Sequence, residues 1–397
     1  MFHPRTIPFY LILHSALAVL TLIRPANASP SPGLNFDMRE YERARVLKAA
    51  DQYLQQAPVT ITSFPATRSA GGLHDYYSEA DYYWPDPKNP QGPYIDRDGM
   101  SNPGNFNDHR LALRRMSIQV GALTAAYVIT GNKRYADHAI DHLRAWFITP
   151  ATKMNPNLLY SQAIRNKVTG RSIGIIDTLH LVEVARSVVV LRQRGALSPR
   201  DAAGLTGWFD AYVRWMTTHP YGIEEGNAPN NHATCYWLQV AAFATVAGNP
   251  VLLDQCRERY KQQLLPQMAP DGSFPKELHR TKPYGYSLFN LDQMVTLCRI
   301  LSTPKDNLWN YTLPGGQNIH KGTEYMYPYV KDKSKWPLPP DVMVYRFWPV
   351  RSPAWLFAGI AFHEQKYIDL WKSLNPDPVN EEILRNLPLH QPVLWVE

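Results

Sequence analysis

The chain has 397 residues and a formal net charge of +7 at neutral pH, long enough to bury a large core. A basic balance suits a polyanionic partner, yet no dense Lys/Arg run or nucleic-acid motif is present, so nucleic acid is disfavoured. The three cysteines, Cys235, Cys256 and Cys298, fit no zinc spacing; one disulfide with a spare thiol, or three buried thiols, are both open readings.

Residues 1–28 read as an export signal. Arg5 is followed by an apolar stretch from Ile7 to Ile23 and by Ala26-Asn27-Ala28, the small-x-small pattern at which such signals are cut. A membrane span competes for this stretch, but Pro8, Arg24, Pro25 and the Ala-x-Ala site favour cleavage. No later segment is apolar enough to cross a bilayer, so the mature chain, residues 29–397, is expected to be a periplasmic or secreted monomer away from the membrane. No linker divides it.

Helix then follows helix. Met38 to Gln56 forms the first, with Tyr41, Ala44, Val46, Leu47 and Tyr53 on its apolar side. From Asp108 the series Leu113, Met116, Val120, Leu123 and Tyr127 keeps helical spacing until Gly131-Asn132 stops it, and a second helix runs from Lys133 to Phe147. Ala241-Ala242 leading to Gly248-Asn249 repeats the grammar of Ala125-Ala126 leading to Gly131-Asn132, so the repeating unit is a helical hairpin. Further pairs are Ile175–Gln193 with Pro199–Thr217, Ser287–Leu301 with Ile319–Tyr329, and a last pair within Pro353–Leu374. Alternating strand patterns are scarce, and the expected fold is all-α: an incomplete α/α toroid of about five to seven hairpins, with an irregular solenoid or bundle as the alternative. Four long breaks, Phe64–Asn105, Pro150–Ser172, His219–Asn230 and Met268–Tyr284, would gather at one mouth and line a groove for a chain-like ligand. The 23 tyrosines and 11 tryptophans supply rings that stack on sugar faces, although most aromatics are core.

Two of these breaks carry chemistry. In Asn227-Ala228-Pro229-Asn230-Asn231-His232 a polar loop enters a helix, whose first turn favours an anion. The plainer reading makes Asn230 or Asn231 an N-cap and His232 a core residue. In Asp271 to Phe289, Arg280 precedes Tyr286 by six residues. A tyrosine used as a base near neutral pH needs its phenolate stabilised by roughly two to three pKa units, about 3–4 kcal/mol, and Arg280 and His232 are the cations to supply it. The plainer reading pairs Arg280 with Glu277 and packs Tyr286 inside a helix.

Asn231-His232 followed far downstream by Arg280 and Tyr286 resembles the alginate lyase superfamily, including polysaccharide lyase families 5 and 38. Tyr83-Trp84-Pro85-Asp86-Pro87, Pro93 to Gly99, Trp146-Phe147, Met154 to Leu158, Gly170-Arg171 and Gly174-Ile175-Ile176-Asp177 resemble its blocks in the same order, across about Tyr77 to Pro340. The arginine–tyrosine spacing departs from the family-5 pattern, and the Tyr83 and Met154 blocks are closer to family 38. The resemblance implies an α/α toroid and a lyase that cuts an acidic, uronate-containing polysaccharide by β-elimination. It implies catalytic roles for Asn231, His232 and Tyr286; Arg280 joins them on chemical grounds. Trp84, Asn157, Tyr160, Gln162 and Arg171 lie in its loop blocks and are expected to touch sugar, as are Lys282 and Tyr284. No metal or other cofactor is expected, because Asn, His and Arg can neutralise the substrate carboxylate. Mannuronate-rich alginate or glucuronan is favoured, because H5 and O4 lie on one ring face and a single tyrosine can serve both. Two other readings compete: an inverting hydrolase using two of Glu224, Glu225, Asp271 and Glu277, and a polyuronate-binding protein without activity.

Overall fold

The computed structural model describes residues 30–396; the export signal expected over 1–28 lies outside them. Fourteen α-helices carry the architecture: α1 (Met38–Tyr53), α2 (Asp108–Thr130), α3 (Lys133–Phe147), α4 (Leu181–Gln193), α5 (Pro199–Thr218), α6 (Pro220–Gly226), α7 (Asn231–Ala247), α8 (Pro250–Arg259), α9 (Pro275–Leu278), α10 (Pro283–Leu301), α11 (Ile319–Lys331), α12 (Pro353–Phe362), α13 (Gln365–Ser373) and α14 (Glu381–Arg385). Successive contacts α2–α4–α7–α10–α12 form an inner layer; α3, α8, α11 and α13 each pack on the inner helix that precedes them, whereas α5, expected to pair with α4, packs chiefly on α7. This is an α/α toroid.

Sequence pattern explains the two layers. An inner helix must be apolar on nearly every face, and α7 is buried from Ala233 through Ala244, as α12 is from Pro353 through Gly359. An outer helix needs one stripe. In α3 it comprises Tyr135, Ala136, Ala139, Ile140, Leu143, Trp146 and Phe147. The repeated Gly-Asn turn is now explained. Gly131 and Gly248 end α2 and α7 at φ +70° and +69°, a conformation glycine adopts without cost. The asparagine after each then caps the next helix, Asn132 accepting from the Arg134 N–H and Asn249 from the Leu252 N–H.

Some boundaries shift. The helix expected from Ile175 begins as a 3₁₀ turn over Ser172–Thr178 and becomes α-helical only at Leu181, whereas α10 starts before Ser287, at Pro283. Tyr41, expected on the apolar side of α1, is 40% exposed and lies against Trp371. All three cysteines are buried free thiols. No helix among the described residues is long and apolar enough to cross a membrane.

The long breaks carry short strands. β1 (Tyr77–Glu79) pairs in parallel with β4 (Tyr160–Ala163), and β2 (Tyr83–Trp84) forms an antiparallel pair with β3 (Ile95–Asp96). The C-terminal segment inserts beside the ring. Residues 392–394 pack on α1, α2 and α4, while Trp395 reaches Phe357 of α12. Glu183 anchors this segment by accepting the His390 and Gln391 N–H groups at 2.9 and 2.7 Å.

Candidate active site

A cleft with about 950 Å³ of empty space, open to solvent, lies where the loop segments meet the inner helices. Arg110 comes from the first turn of α2, Asp177 and His180 lead into α4, Asn231 and His232 begin α7, and Tyr286 stands near the start of α10. Four inner helices thus turn their N-terminal ends toward one space, an arrangement that favours bound anions. Net charge does not do the same work. The lining carries four arginines (Arg110, Arg171, Arg280, Arg385) and four aspartates (Asp81, Asp96, Asp98, Asp177), so recognition must rest on directed donors.

Asn231 and His232 form one wall. Asn230 is the N-cap of α7, its side chain accepting from the His232 N–H, which frees Asn231 for another partner. That partner is the buried carboxylate of Glu277, which accepts the Asn231 backbone N–H at 2.8 Å and its Nδ2–H at 2.5 Å. Burial pushes the Glu277 carboxyl upward, and the Asn231 donors with the charges of Arg280 and His232 only partly offset it. His232 Nδ1 lies 2.6 Å from Oε1 of Glu225, a residue only 3% exposed. Burial opposes a charged imidazole, but the charge and hydrogen bond of Glu225, helped by Glu277, outweigh both burial and Arg280, so the His232 pKa is raised.

Tyr286 and Arg280 form the other wall. The Arg280 guanidinium lies 4.5 Å from the centre of the Tyr286 ring, and it also holds Asp98 through Nε at 3.1 Å and Nη2 at 2.6 Å. The Tyr286 hydroxyl donates to Tyr82 Oη at 3.0 Å, which also accepts from Arg385 Nη2 at 2.8 Å. The expected lowering of the Tyr286 pKa does not occur in the free protein. Burial and Tyr82 raise it well above its ordinary value, and Arg280 offsets them only in part. Asp98, part of the Pro93 to Gly99 block but given no site role in the sequence, balances much of the Arg280 charge.

Of the residues expected to contact sugar, Gln162 and Arg171 line the cleft. Gln162 sits at φ +48°, its N–H bound to Ser78 Oγ and its Nε2 to Asp177; strained backbone of this kind concentrates at functional sites. Gly174 permits this, because a Cβ there would stand 1.9 Å from Ser161 Oγ in β4. Arg171 donates to Gln162 O and Oε1 at 3.2 and 3.0 Å and lies over the Tyr83 ring. Arg110, Arg280 and Arg385 each pair with an aspartate, whereas Arg171 has no carboxylate partner among the described residues.

The remaining five fall elsewhere. Tyr284 is fully buried against Trp336 and Tyr345, with its hydroxyl on Tyr329 O, and is a core residue. Lys282 is buried and bound to Glu382 at 2.8 Å. Trp84 donates to Met100 O and carries Arg97 on its ring; Asn157 closes a turn onto the Leu159 N–H; Tyr160 covers Gly71. None of the three lines the cleft. The carboxylates offered for a hydrolase also fail to assemble there. Glu224 is exposed, Asp271 accepts the Ser273 N–H in a turn, and Glu225 and Glu277 are held by His232 and Asn231.

Sequence reasoning missed Tyr82, Asp98, Asp177 and Arg385 as cleft residues. The first three carried a signal, since Tyr82 directly precedes the Tyr83-Trp84 block and the other two lie inside quoted blocks. Arg385 carried none, lying on α14 far beyond Tyr286.

Comparison with known proteins bears on the family and the fold. The alginate lyase family model matches residues 60–336. An alginate lyase from Bacteroides ovatus is 31% identical, with a TM-score of 0.76 over 91% of this chain and 96% of that one. Alginate lyase A1-III from Sphingomonas species A1 is 15% identical, with a TM-score of 0.55 over 88% and 94% of the two chains, a likeness of fold. A substituted form of A1-III complexed with a tetrasaccharide is 14% identical, with a TM-score of 0.57 over 90% and 94%. No curated protein matches. With the family model spanning most of the chain and a relative of nearly equal length at this identity, the protein belongs to the alginate lyase family.

Proposed function

We propose that the protein is a polysaccharide lyase that cleaves a 1,4-linked polyuronate by β-elimination, leaving a 4,5-unsaturated uronate end, with mannuronate-rich alginate or glucuronan as substrate. The observation that carries the reading is the convergence of Asn231, His232, Arg280 and Tyr286 on one cleft from separate parts of the chain. The uronate C5 proton is barely acidic while the adjacent carboxylate keeps its full charge. Asn231, with the cationic forms of His232 and Arg280, neutralises that carboxylate and stabilises the charge that builds as the proton leaves. Arg171, held by Gln162 but without a carboxylate partner among the described residues, is placed to meet a further carboxylate along the polymer.

Tyr286 moves the proton. On a ring with H5 and O4 on one face, its phenolate takes H5 as the C4–O4 bond breaks and returns the same proton to O4. Because the phenol resists ionisation, the reactive fraction is small at neutral pH and grows with alkalinity. The contacts available to that phenolate are the Tyr82 hydroxyl, itself held by Arg385, and the Arg280 cation beside the ring. A polymeric substrate too large to enter the cell fits export through residues 1–28.

The test is incubation with polymannuronate, polyguluronate and glucuronan while following the ultraviolet absorbance of the conjugated C4=C5 uronate. The reading expects that absorbance to rise with polymer shortening. New reducing ends without it would mean hydrolysis, and tight binding without turnover of any polymer would mean a binding protein.

A further inference from the structure

Beside the cleft, residues 341–347 form a loop that the elimination just described does not use, and it lies beyond the segment that the family model matches. Its footing is on the catalytic wall. The Asp341 carboxylate accepts the Tyr284 and Gly285 N–H groups, both at 2.9 Å, in the first turn of α10, immediately before Tyr286. The Val342 N–H donates to Thr281 O at 3.1 Å, next to Arg280. Gly99, at φ +78°, packs so closely here that a Cβ would stand 2.4 Å from Thr281 Oγ1 and 3.1 Å from the Val342 side chain. At the far end Lys333 Nζ donates to Tyr345 O at 2.9 Å and to Trp348 O at 2.8 Å.

Held this firmly, the loop carries features that its own packing does not explain. Val344 sits at φ +56°, a conformation that a β-branched residue rarely adopts and that concentrates at ligand clamps. Val342 and Phe347 are exposed, and Met100 is exposed on the neighbouring segment. Apolar side chains bared together and rimmed by polar groups mark a ligand surface. The Arg346 guanidinium lies 4.7 Å from the centre of the Phe347 ring and has no carboxylate partner among the described residues. A guanidinium spread on an aromatic face keeps its N–H edge for an anion.

We propose that residues 342–347 form an outer subsite for the polyuronate chain, in which Arg346 meets the carboxylate of a uronate outside the cleft while Val342 and Phe347 take the apolar face of a sugar ring. This rests on the lyase reading. Charge and continuity select the occupant. A polyuronate carries a carboxylate on every sugar, and the loop adjoins Asp98, Arg280 and Tyr286, so a chain leaving the cleft on that side crosses it. The subsite contributes to binding alone, and only for substrates long enough to reach it.

The test compares wild type, Arg346→Ala, Phe347→Ala and the double variant on mannuronate and glucuronate oligomers of increasing length, up to the polymers. All three changes fall on exposed side chains, and thermal unfolding should match the wild type. On the polymer KM should rise about three- to fivefold in each single variant and about tenfold in the double variant, with kcat little changed. The shortest oligomer cleaved should show little of that loss. Added salt should narrow the gap between wild type and Arg346→Ala, because the contact removed is ionic and exposed. Equal losses at every substrate length, or a polymer KM unmoved in the double variant, would overturn the proposal. A wild type that cleaves none of these substrates would instead refute the lyase reading. Calorimetric binding of polymannuronate and glucuronan would then still decide the subsite, which requires weaker binding in the double variant.

Discussion

The two walls of the cleft are held by opposite means. Behind Asn231 and His232 stand carboxylates that orient donors and keep the imidazole easy to protonate. Around Tyr286 stand a second phenol and two guanidiniums, yet burial keeps its proton in place. One wall is prepared to meet negative charge, and the other to hold a proton until the substrate needs it moved. Cations near a tyrosine therefore do not suffice to ionise it: Arg280 shares its charge with Asp98, and burial decides the sign.

Substitutions can break this contrast. Tyr286→Phe removes the proton carrier and should lower kcat by about 10²–10⁴-fold while polymer binding persists, as separate turnover and binding measurements would show. Asn231→Ala removes a side-chain amide donor from the cleft wall and should cost about 10²–10³-fold in kcat, with Glu277 keeping only the backbone N–H at position 231. Tyr82→Phe deletes the hydroxyl that accepts from both Tyr286 and Arg385 while leaving the ring, and a loss of roughly tenfold or less is expected. The smallest effect concerns stability. Glu79 ties down the segment carrying Tyr82; burial works against its charge, but Arg68, Arg165 and the Phe106 N–H hold its carboxyl at about 2. Its contribution is present above the unfolded value of 4.5 and is lost as pH falls toward 2. Thermal unfolding of Glu79→Gln should accordingly vary less with pH over that window than unfolding of the wild type.

Much of the fold was legible because hairpin grammar is local. Gly131-Asn132 and Gly248-Asn249 each end one helix and cap the next within a few residues. The walls were legible where loop meets helix, at Asn231-His232 and near Tyr286. Orientation was less so. Tyr284 and Tyr286 are two positions apart, about 200° around the helix, and only the structure places one in the core and the other on the cleft. The same limit applied to Glu225 and Glu277, whose acidity was plain but whose position behind the wall was not. Arg385 reaches the site through the chain's return on α14, a long-range contact without a local pattern.

The central claim is that this cleft eliminates and does not hydrolyse. Mass spectrometry of oligomers released from polymannuronate in water enriched in the heavy oxygen isotope tests it most directly. Elimination predicts unsaturated fragments that carry no solvent oxygen. Saturated fragments, each with one labelled oxygen, would contradict the account.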